Sequence, residues 1–146
     1  MRLALTCDRI ATGARSTATN QMAQASFYKL IAWQKAVDLA ERIYKTTRAF
    51  PREERFGLTA QLRRCAVSVP SNIAEGHGRL TVGEWRHFLG QARGSVLEMQ
   101  TQLILARRLS FIDATTIDST LELSEEVGRI INGLLASDRH QPSRGK

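Results

Sequence analysis

The stretch RFGLTAQLRRCAVSVPSNIAEGHGR, residues 55–79, decides the fold. Its apolar residues recur at the three- and four-residue spacing of an α-helix, which predicts one buried face. That face comprises Phe56, Thr59, Leu62, Ala66, Val69 and Ile73. Leu58, Cys65 and Val67 make much of the remaining circumference apolar. A helix that is apolar on more than one side must be buried on more than one side, so we expect it deep in its own domain or at a subunit contact.

Pro70 interrupts this helical pattern. It offers no N–H to the carbonyl of Ala66, and its ring crowds that carbonyl. The helix therefore either kinks and continues, or breaks and restarts with Asn72 as N-cap and Glu75 reaching back as in a capping box. Ser71, Asn72 and Glu75 are accordingly either a polar or subunit contact site, or side chains that satisfy backbone groups near the proline.

Two glycines close the stretch, Gly76 and Gly78. Glycine adopts positive φ without strain, so both are expected to help end the helix. A second helix begins directly afterwards, because Thr81 and Glu84 have the spacing of a capping box. Apolar residues then follow a strict 3-4 spacing that predicts a core-facing bundle helix: Val82, Trp85, Leu89, Ala92, Val96, Met99, Leu103 and Ala106.

Two more amphipathic helices complete the pattern. The first runs from about 28 to 48, with the apolar stripe Leu30, Trp33, Ala36, Val37, Ala40, Ile43, Tyr44 and Thr47. The last runs from about 114 to 136 and is led in by Asp113, Thr115 or Thr116. It carries two apolar seams, which predicts two neighbours: Ile117, Leu121, Ser124, Gly128, Ile131 and Leu135 form one, and Leu123, Val127, Ile130 and Leu134 form the other. Short links favour antiparallel neighbours.

Two signatures, WQKA at 33–36 and SNIAEG at 71–76, occur in the runs AWQKAVDLAERIYKTTRAFP and ERFGLTAQLRRCAVSVPSNIAEGHGR. Together they resemble the family of small bacterial proteins encoded by intervening sequences in 23S ribosomal RNA genes. The resemblance covers residues 27–136 and implies an all-α, up-down antiparallel four-helix bundle that assembles as a ring-shaped homopentamer. A more distant resemblance is to the accessory protein of diversity-generating retroelements, which works with a reverse transcriptase and RNA but lacks SNIAEG. The chain therefore resembles the intervening-sequence branch, whose own activity is not established.

Length and composition limit the class of protein. The 146 residues are 42% hydrophobic, which suits one domain with a core. Residues 1–26 show no sustained period and are expected to be poorly ordered, residues 27–136 form the bundle, and residues 137–146 form a basic polar tail. Met22 lies just ahead of the bundle and is an alternative start. Two cysteines make no disulfide framework, and no segment reads as a membrane span or signal peptide, so we expect a cytoplasmic protein without a membrane partner.

The net charge of +7 favours anionic partners, and it is distributed unevenly. Residues 27–110 carry 14 Lys and Arg against 7 Asp and Glu, whereas residues 111–136 carry one Arg against five acids. This asymmetry would allow the acidic last helix of one subunit to meet a basic helix of another. That contact would consume charge otherwise offered to nucleic acid.

No motif of catalysis or of cofactor binding is present in the sequence. None of the three histidines stands at metal-ligand spacing from a cysteine or carboxylate, and no phosphate-binding loop or nucleophile elbow occurs. We therefore expect neither an enzyme, nor a metal, nor a cofactor.

Basic side chains recur along three helices and form the candidate phosphate-binding surface: Lys35, Arg42, Lys45, Arg63, Arg64, Arg86, Arg93 and Arg107. The leading hypothesis is a non-catalytic homo-oligomer that binds RNA or DNA through phosphates, as an accessory to a nucleic-acid enzyme. The alternative is a protein-interaction scaffold that binds no nucleic acid. Whether the stripe of Arg86, Arg93 and Arg107 faces solvent or the last helix of a neighbouring subunit distinguishes the two.

Overall fold

The computed structural model describes residues 27–137, which form four α-helices joined by short links. Their bounds are α1 Ile31–Thr46, α2 Leu58–His77, α3 Val82–Arg108 and α4 Ala114–Ser137. Single 3-10 turns occupy Phe27–Lys29, Thr47–Ala49 and Arg52–Phe56, and no strand occurs within residues 27–137. The all-α prediction is thus confirmed, although α1 is shorter than predicted because a 3-10 turn flanks it at each end. The N-terminal extension and all but the first residue of the C-terminal tail lie outside the described residues.

The helices are antiparallel to their neighbours, as side-chain pairs between them show. Ser68 near the middle of α2 hydrogen-bonds Ser95 at 2.9 Å, whereas Gln61, earlier in α2, meets Gln102, later in α3. The same reversal relates α4 to α3 and to α1, through the pairs Gln100–Ser124, Arg107–Asp118, Lys35–Glu126 and Arg42–Ser119. Each helix packs against the helices adjacent in sequence, and α4 packs against α1. The result is an up-down four-helix bundle.

The core of the bundle follows most of the predicted apolar spacing, with exceptions at the start of α3 and in α1. In α3, the positions from Leu89 to Ala106 of the 3-4 series are all buried, whereas Val82 in the first turn is 52% exposed. In α1, Leu39 is fully buried although the predicted stripe omits it, and Tyr44, which the stripe includes, is 41% exposed. The stripe was placed about one position too far around the helix, because the half-buried flank of α1 contains apolar residues as well.

Phe56 does not lie on the buried face of α2, and that prediction is wrong. Its side chain is 87% exposed. The reason is local: Phe56 ends a 3-10 turn, Gly57 follows with φ −98° and ψ −119°, outside the helical region, and the α-helix begins only at Leu58. Helical periodicity therefore does not apply at Phe56, whereas Leu58, Thr59 and the residues that follow are buried with α-helical spacing.

The proline does not break α2, which runs through Pro70 as one helix with the ring buried. Asn72 is consequently not an N-cap. Its side-chain amide donates to the carbonyl of Ser68 at 2.8 Å, and the Ser71 hydroxyl donates to the carbonyl of Val67 at 2.7 Å. Both contacts bind carbonyls in the turn next to the one that Pro70 leaves without its usual donor.

Gly76 is explained by packing rather than by positive φ. No glycine among the described residues has positive φ, and Gly78 has φ −79°. At Gly76, an added Cβ would lie 2.7 Å from Cβ of Phe88 and 3.0 Å from the Trp85 ring. The glycine therefore allows α2 and α3 to approach closely where the chain turns between them.

Capping side chains fix the first turns of α3 and α4. The Thr81 hydroxyl accepts from the backbone N–H of Glu84 at 3.2 Å and donates to the Glu84 carboxylate at 2.8 Å. Asp113 accepts from the backbone N–H of Thr116 at 2.7 Å and from its hydroxyl at 2.9 Å. The predicted start of α3 is confirmed, and of the three candidates for the start of α4 it is Asp113 that caps the helix. Each cap satisfies a backbone donor that the helix leaves unpaired.

Candidate nucleic-acid interface

The basic stripes on α1 and α3 both lie against the acidic helix α4 of the same chain. Lys35 of α1 pairs with Glu126 at 2.9 Å, and this carboxylate raises the pKa of Lys35. Arg107 of α3 pairs with Asp118 at 3.3 Å. The uneven charge of the sequence is therefore partly balanced within one bundle, where α4 is placed between two basic neighbours.

Two arginines of the stripe formed by Arg86, Arg93 and Arg107 contact α4 of their own chain. Arg86 donates to the backbone carbonyl of Leu135 at 2.8 Å and so binds one of the carbonyls that the end of α4 leaves unpaired. Arg107 is held by Asp118, and only Arg93 projects from the stripe without a hydrogen bond or ion pair to the rest of residues 27–137. Two of the three arginines have a structural role in their own chain.

Arg42 and Lys45 line one groove together with Lys35, but two carboxylates, Asp38 and Glu41, line the same groove. Lys45 pairs with Glu41 one turn earlier on α1 and lowers the pKa of that carboxyl. Arg42 makes one long hydrogen bond to Ser119, at 3.4 Å. Arg64 is exposed, with no hydrogen bond or ion pair to the described part of the chain. The eight predicted residues therefore do not converge on one surface.

The three polar residues of the SNIAEG signature make contacts close to their own positions. Glu75 pairs with Arg79 one turn later, and Ser71 binds backbone within α2. Asn72 also donates to the hydroxyl of Ser68 at 2.9 Å, which in turn meets Ser95 of α3. These contacts are those expected of side chains that satisfy the backbone and link two helices.

Four arginines do converge, around a groove of about 690 Å³ at the link between α1 and α2. We call this feature the arginine groove; its lining is Thr47, Arg48, Phe50, Pro51, Arg52, Arg55, Thr59 and Arg63. Arginine keeps its charge at any physiological pH, and its planar fork of donors matches a phosphate group. The groove therefore brings four fixed positive charges to one concave site of ligand size.

Aromatic packing and a hydrogen bond fix two of the residues that line the arginine groove, Phe50 and Arg63. Phe50 is buried and packs edge-on against Phe111 from the link between α3 and α4, with ring centroids 5.7 Å apart. The Nε of Arg63 donates to the Thr47 hydroxyl at 2.9 Å, and its guanidinium lies 4.8 Å from the centre of the Tyr44 ring. A charge fixed in this way costs little ordering entropy when an anion binds.

Acidic side chains near the arginine groove do not line it. Glu54 accepts from the backbone N–H of Leu58 at 2.9 Å and thereby caps the start of α2. Glu53 is exposed on the same 3-10 turn and is outside the lining. The helix dipole of α2 places its positive end beside Thr59, in the lining. The local potential is therefore positive.

Helical periodicity missed Arg48, Arg52 and Arg55 because they belong to 3-10 turns, where no repeating face can be assigned. One signal was available in the sequence: three arginines and a proline occur within eight residues, from 48 to 55. Clustered arginine outside the regular helices could have directed attention to this link.

Residues 27–137 contain no group of three or more His, Cys, Asp and Glu side chains that could hold a metal ion. Within the same part of the chain, no helix is both long and apolar enough to cross a bilayer. Cys65 is buried, and burial raises the pKa of its thiol to about 11, which leaves it a poor nucleophile.

Comparison with known families identifies the bundle. The family model described as 23S rRNA-intervening sequence protein matches residues 28–133. The chain belongs to this family. A similar solved structure is a protein of unknown function from the S23 ribosomal protein family of Bacteroides thetaiotaomicron, with 21% identity and a TM-score of 0.66. The match covers 72% of this chain and 98% of that one, and at this identity it shows the shared fold alone. A search of curated proteins found no match.

Proposed function

We propose that this member of the 23S rRNA-intervening sequence protein family is a non-catalytic, cytoplasmic protein that binds RNA or DNA through phosphates at the arginine groove. The carrying observation is the convergence of Arg48, Arg52, Arg55 and Arg63 on one groove that no acidic side chain lines. Arg–phosphate pairs are charge-assisted and often bidentate, so four arginines can hold adjacent phosphates of one strand. In this proposal the protein serves as an accessory to a nucleic-acid enzyme.

The stripes singled out by periodicity have a smaller part in this proposal. Arg86 and Arg107 would have to give up contacts to α4 before they could meet a phosphate. Two arginines of the groove, Arg48 and Arg52, make no hydrogen bond or ion pair to other parts of residues 27–137. They can therefore bind an anion without breaking existing interactions.

The test is binding of labelled structured RNA and duplex DNA by fluorescence anisotropy across a salt series. The logarithm of the affinity should fall steeply with the logarithm of the salt concentration, because phosphate binding releases counterions. The double variant Arg52→Glu/Arg55→Glu should lose at least tenfold in affinity and reduce the slope by about 1.5, since each lost phosphate contact removes about 0.7–0.9.

The matched control reverses two arginines outside the groove, Arg64→Glu/Arg93→Glu, and changes the net charge equally. We expect a much smaller loss from it, with an almost unchanged salt slope. Equal losses from both double variants would reduce the binding to general attraction by net charge and contradict a groove site. Failure of the unaltered protein to bind either polyanion at low salt would refute the proposed function.

We further propose self-association, because the outward face of α3 has features that its own chain does not explain. Leu97 and Ile104 are about half exposed on this face. Gly90 and Gly94 lie inside this helix, although a Cβ at either position would meet nothing within 4 Å. Each glycine in a helix interior costs about 1 kcal/mol relative to alanine. Close approach of a second subunit is a physical reason to retain both glycines.

The mass of the protein in solution tests self-association. Light scattering should give a stable multiple of the subunit mass, and Ile104→Glu should reduce it, because a buried unpaired charge is costly at an interface. Leu80→Glu is the control, since Leu80 is 98% exposed on the link between α2 and α3. A monomer at micromolar concentration, or an Ile104→Glu variant of unchanged mass, would contradict this interface and its scaffold role.

A further inference from the structure

Two aromatic rings stand beside the arginine groove, each paired with an arginine that lines it. The guanidinium of Arg55 lies 5.3 Å from the centre of the Phe56 ring, and that of Arg63 lies 4.8 Å from the centre of the Tyr44 ring. Arg55 and Arg63 both line the groove. Charged donors and π-faces are therefore presented together at one end of the bundle.

Phe56 is the more informative of the two rings because folding leaves it in water. Its 87% exposure is the highest of any aromatic side chain in the described residues. Tyr28 and Tyr44 are less exposed, at 55% and 41%. Phe50 packs on Phe111, and Trp85 packs near Gly76 and His77. Phe56 lies outside the hydrophobic core, and among the described residues its ring contacts only the guanidinium of Arg55.

We infer that the arginine groove and Phe56 together form a site for single-stranded nucleic acid, a preference that rests on the proposed phosphate binding. Single strands expose both a charged backbone and unstacked bases, and proteins bind them by combining a positive groove with aromatic side chains on which bases stack. A duplex offers the same phosphates but keeps its bases stacked inside, so Phe56 adds nothing to its binding. The arginines supply affinity for either form, and the ring supplies the difference between them.

The experiment uses the full chain and three probes: an unstructured single strand of RNA, the same strand annealed to its complement, and heparin as a polyanion without bases. The unaltered protein should bind the single strand more tightly than the duplex. Phe56→Ala should weaken single-strand binding about tenfold, because one lost base stack is worth roughly this factor. Binding of duplex and heparin, and the salt slope for all probes, should not change.

Two further variants make the result specific. Phe56→Tyr retains a ring and should restore single-strand binding. Leu80→Ala removes an equally exposed apolar side chain outside the groove and should leave all three affinities unchanged. Circular dichroism of each variant should match the unaltered protein, because Phe56 supports no core contact.

The outcomes separate this inference from the proposed function. If Phe56→Ala weakens all probes equally, or none, while Arg52→Glu/Arg55→Glu still weakens binding, the single-strand preference is wrong and the phosphate groove remains. If no probe binds, both are wrong. If Phe56→Ala lowers the mass measured by light scattering, the ring is a contact between subunits and the inference is overturned.

Discussion

Replacing Gly76 with alanine should destabilise the bundle although alanine is the better helix former. The added Cβ would lie 2.7 Å from Cβ of Phe88 and 3.0 Å from Cε3 of Trp85. Cβ of Phe88 is fixed to the α3 backbone, and the Trp85 indole is packed edge-on against His77, with ring centroids 6.1 Å apart. Neither atom is the free end of a flexible side chain, so the two helices themselves must move apart.

The size of the effect follows from two opposing contributions. Overpacking of a core contact costs about 1–3 kcal/mol, and the close approach to an atom next to the backbone places Gly76→Ala toward the upper part of that range. Gly76 is the second-last residue of α2, so the gain from replacing glycine with the better helix former is at most about 1 kcal/mol. The net loss in the free energy of unfolding should be about 1–2 kcal/mol.

Gly133→Ala is the matched control, because Gly133 is also inside a helix but a Cβ there would meet nothing within 4 Å. It should gain up to about 1 kcal/mol from helix propensity alone. Urea unfolding followed by circular dichroism at 222 nm compares the variants at one fixed protein concentration, because association would make stability depend on concentration. If Gly76→Ala is as stable as Gly133→Ala, the close-approach explanation of the SNIAEG glycine is wrong.

Three further predictions concern single contacts. Arg86→Ala should speed hydrogen exchange in the last turn of α4, because the Leu135 carbonyl loses its donor; unchanged exchange there would contradict a capping role. In a Cys7→Ser background, alkylation of Cys65 should be slow at pH 8, because the pKa of the folded thiol is about 11. The free energy of unfolding should fall between about pH 9 and 11, since the thiol ionises at lower pH in the unfolded chain than in the folded one. Asp113→Ala should lower the unfolding midpoint at pH 7, and Asp113→Asn should lower it less, because a neutral amide oxygen can still accept from Thr116. The hydrogen bonds from Thr116 lower the pKa of Asp113, so the part of its contribution that depends on the carboxylate charge should be lost as the pH falls through that lowered pKa. An Asp113→Ala variant with the midpoint of the unaltered protein at pH 7 would refute the cap.

Much of the fold could be predicted from the sequence because the buried residues of an α-helix recur with a regular period. Most of the 3-4 series of α3 and the cap at Thr81 were predicted at their observed positions, and Asp113 was one of three candidates for the start of α4. These features depend on residues that are close along the chain, where spacing determines geometry. The family signatures independently pointed to the same bundle.

The arginine groove could not be predicted in the same way, since it depends on where the irregular segments of the chain lie. Arg48, Arg52 and Arg55 occupy 3-10 turns. They line the same groove as Arg63 because Phe50, in the link between α1 and α2, packs against Phe111 and fixes the path of that link. The prominent stripe of Arg86, Arg93 and Arg107 was visible from its heptad spacing, but spacing cannot tell what lies opposite. In the bundle, α4 lies opposite and holds two of the three.

The sequence by itself determined the number of helices, their approximate bounds and the identity of most core positions, because apolar period and capping are local properties of the chain. Tertiary structure alone decided which basic side chains are paired within the chain and which remain free to bind an anion, because pairing depends on which helices become neighbours. It also decided the reason for Gly76, where the backbone conformation is ordinary and the constraint comes from two rings on another helix. Exposure of Phe56 was fixed in the same way, by the point at which the turn ends and α2 begins.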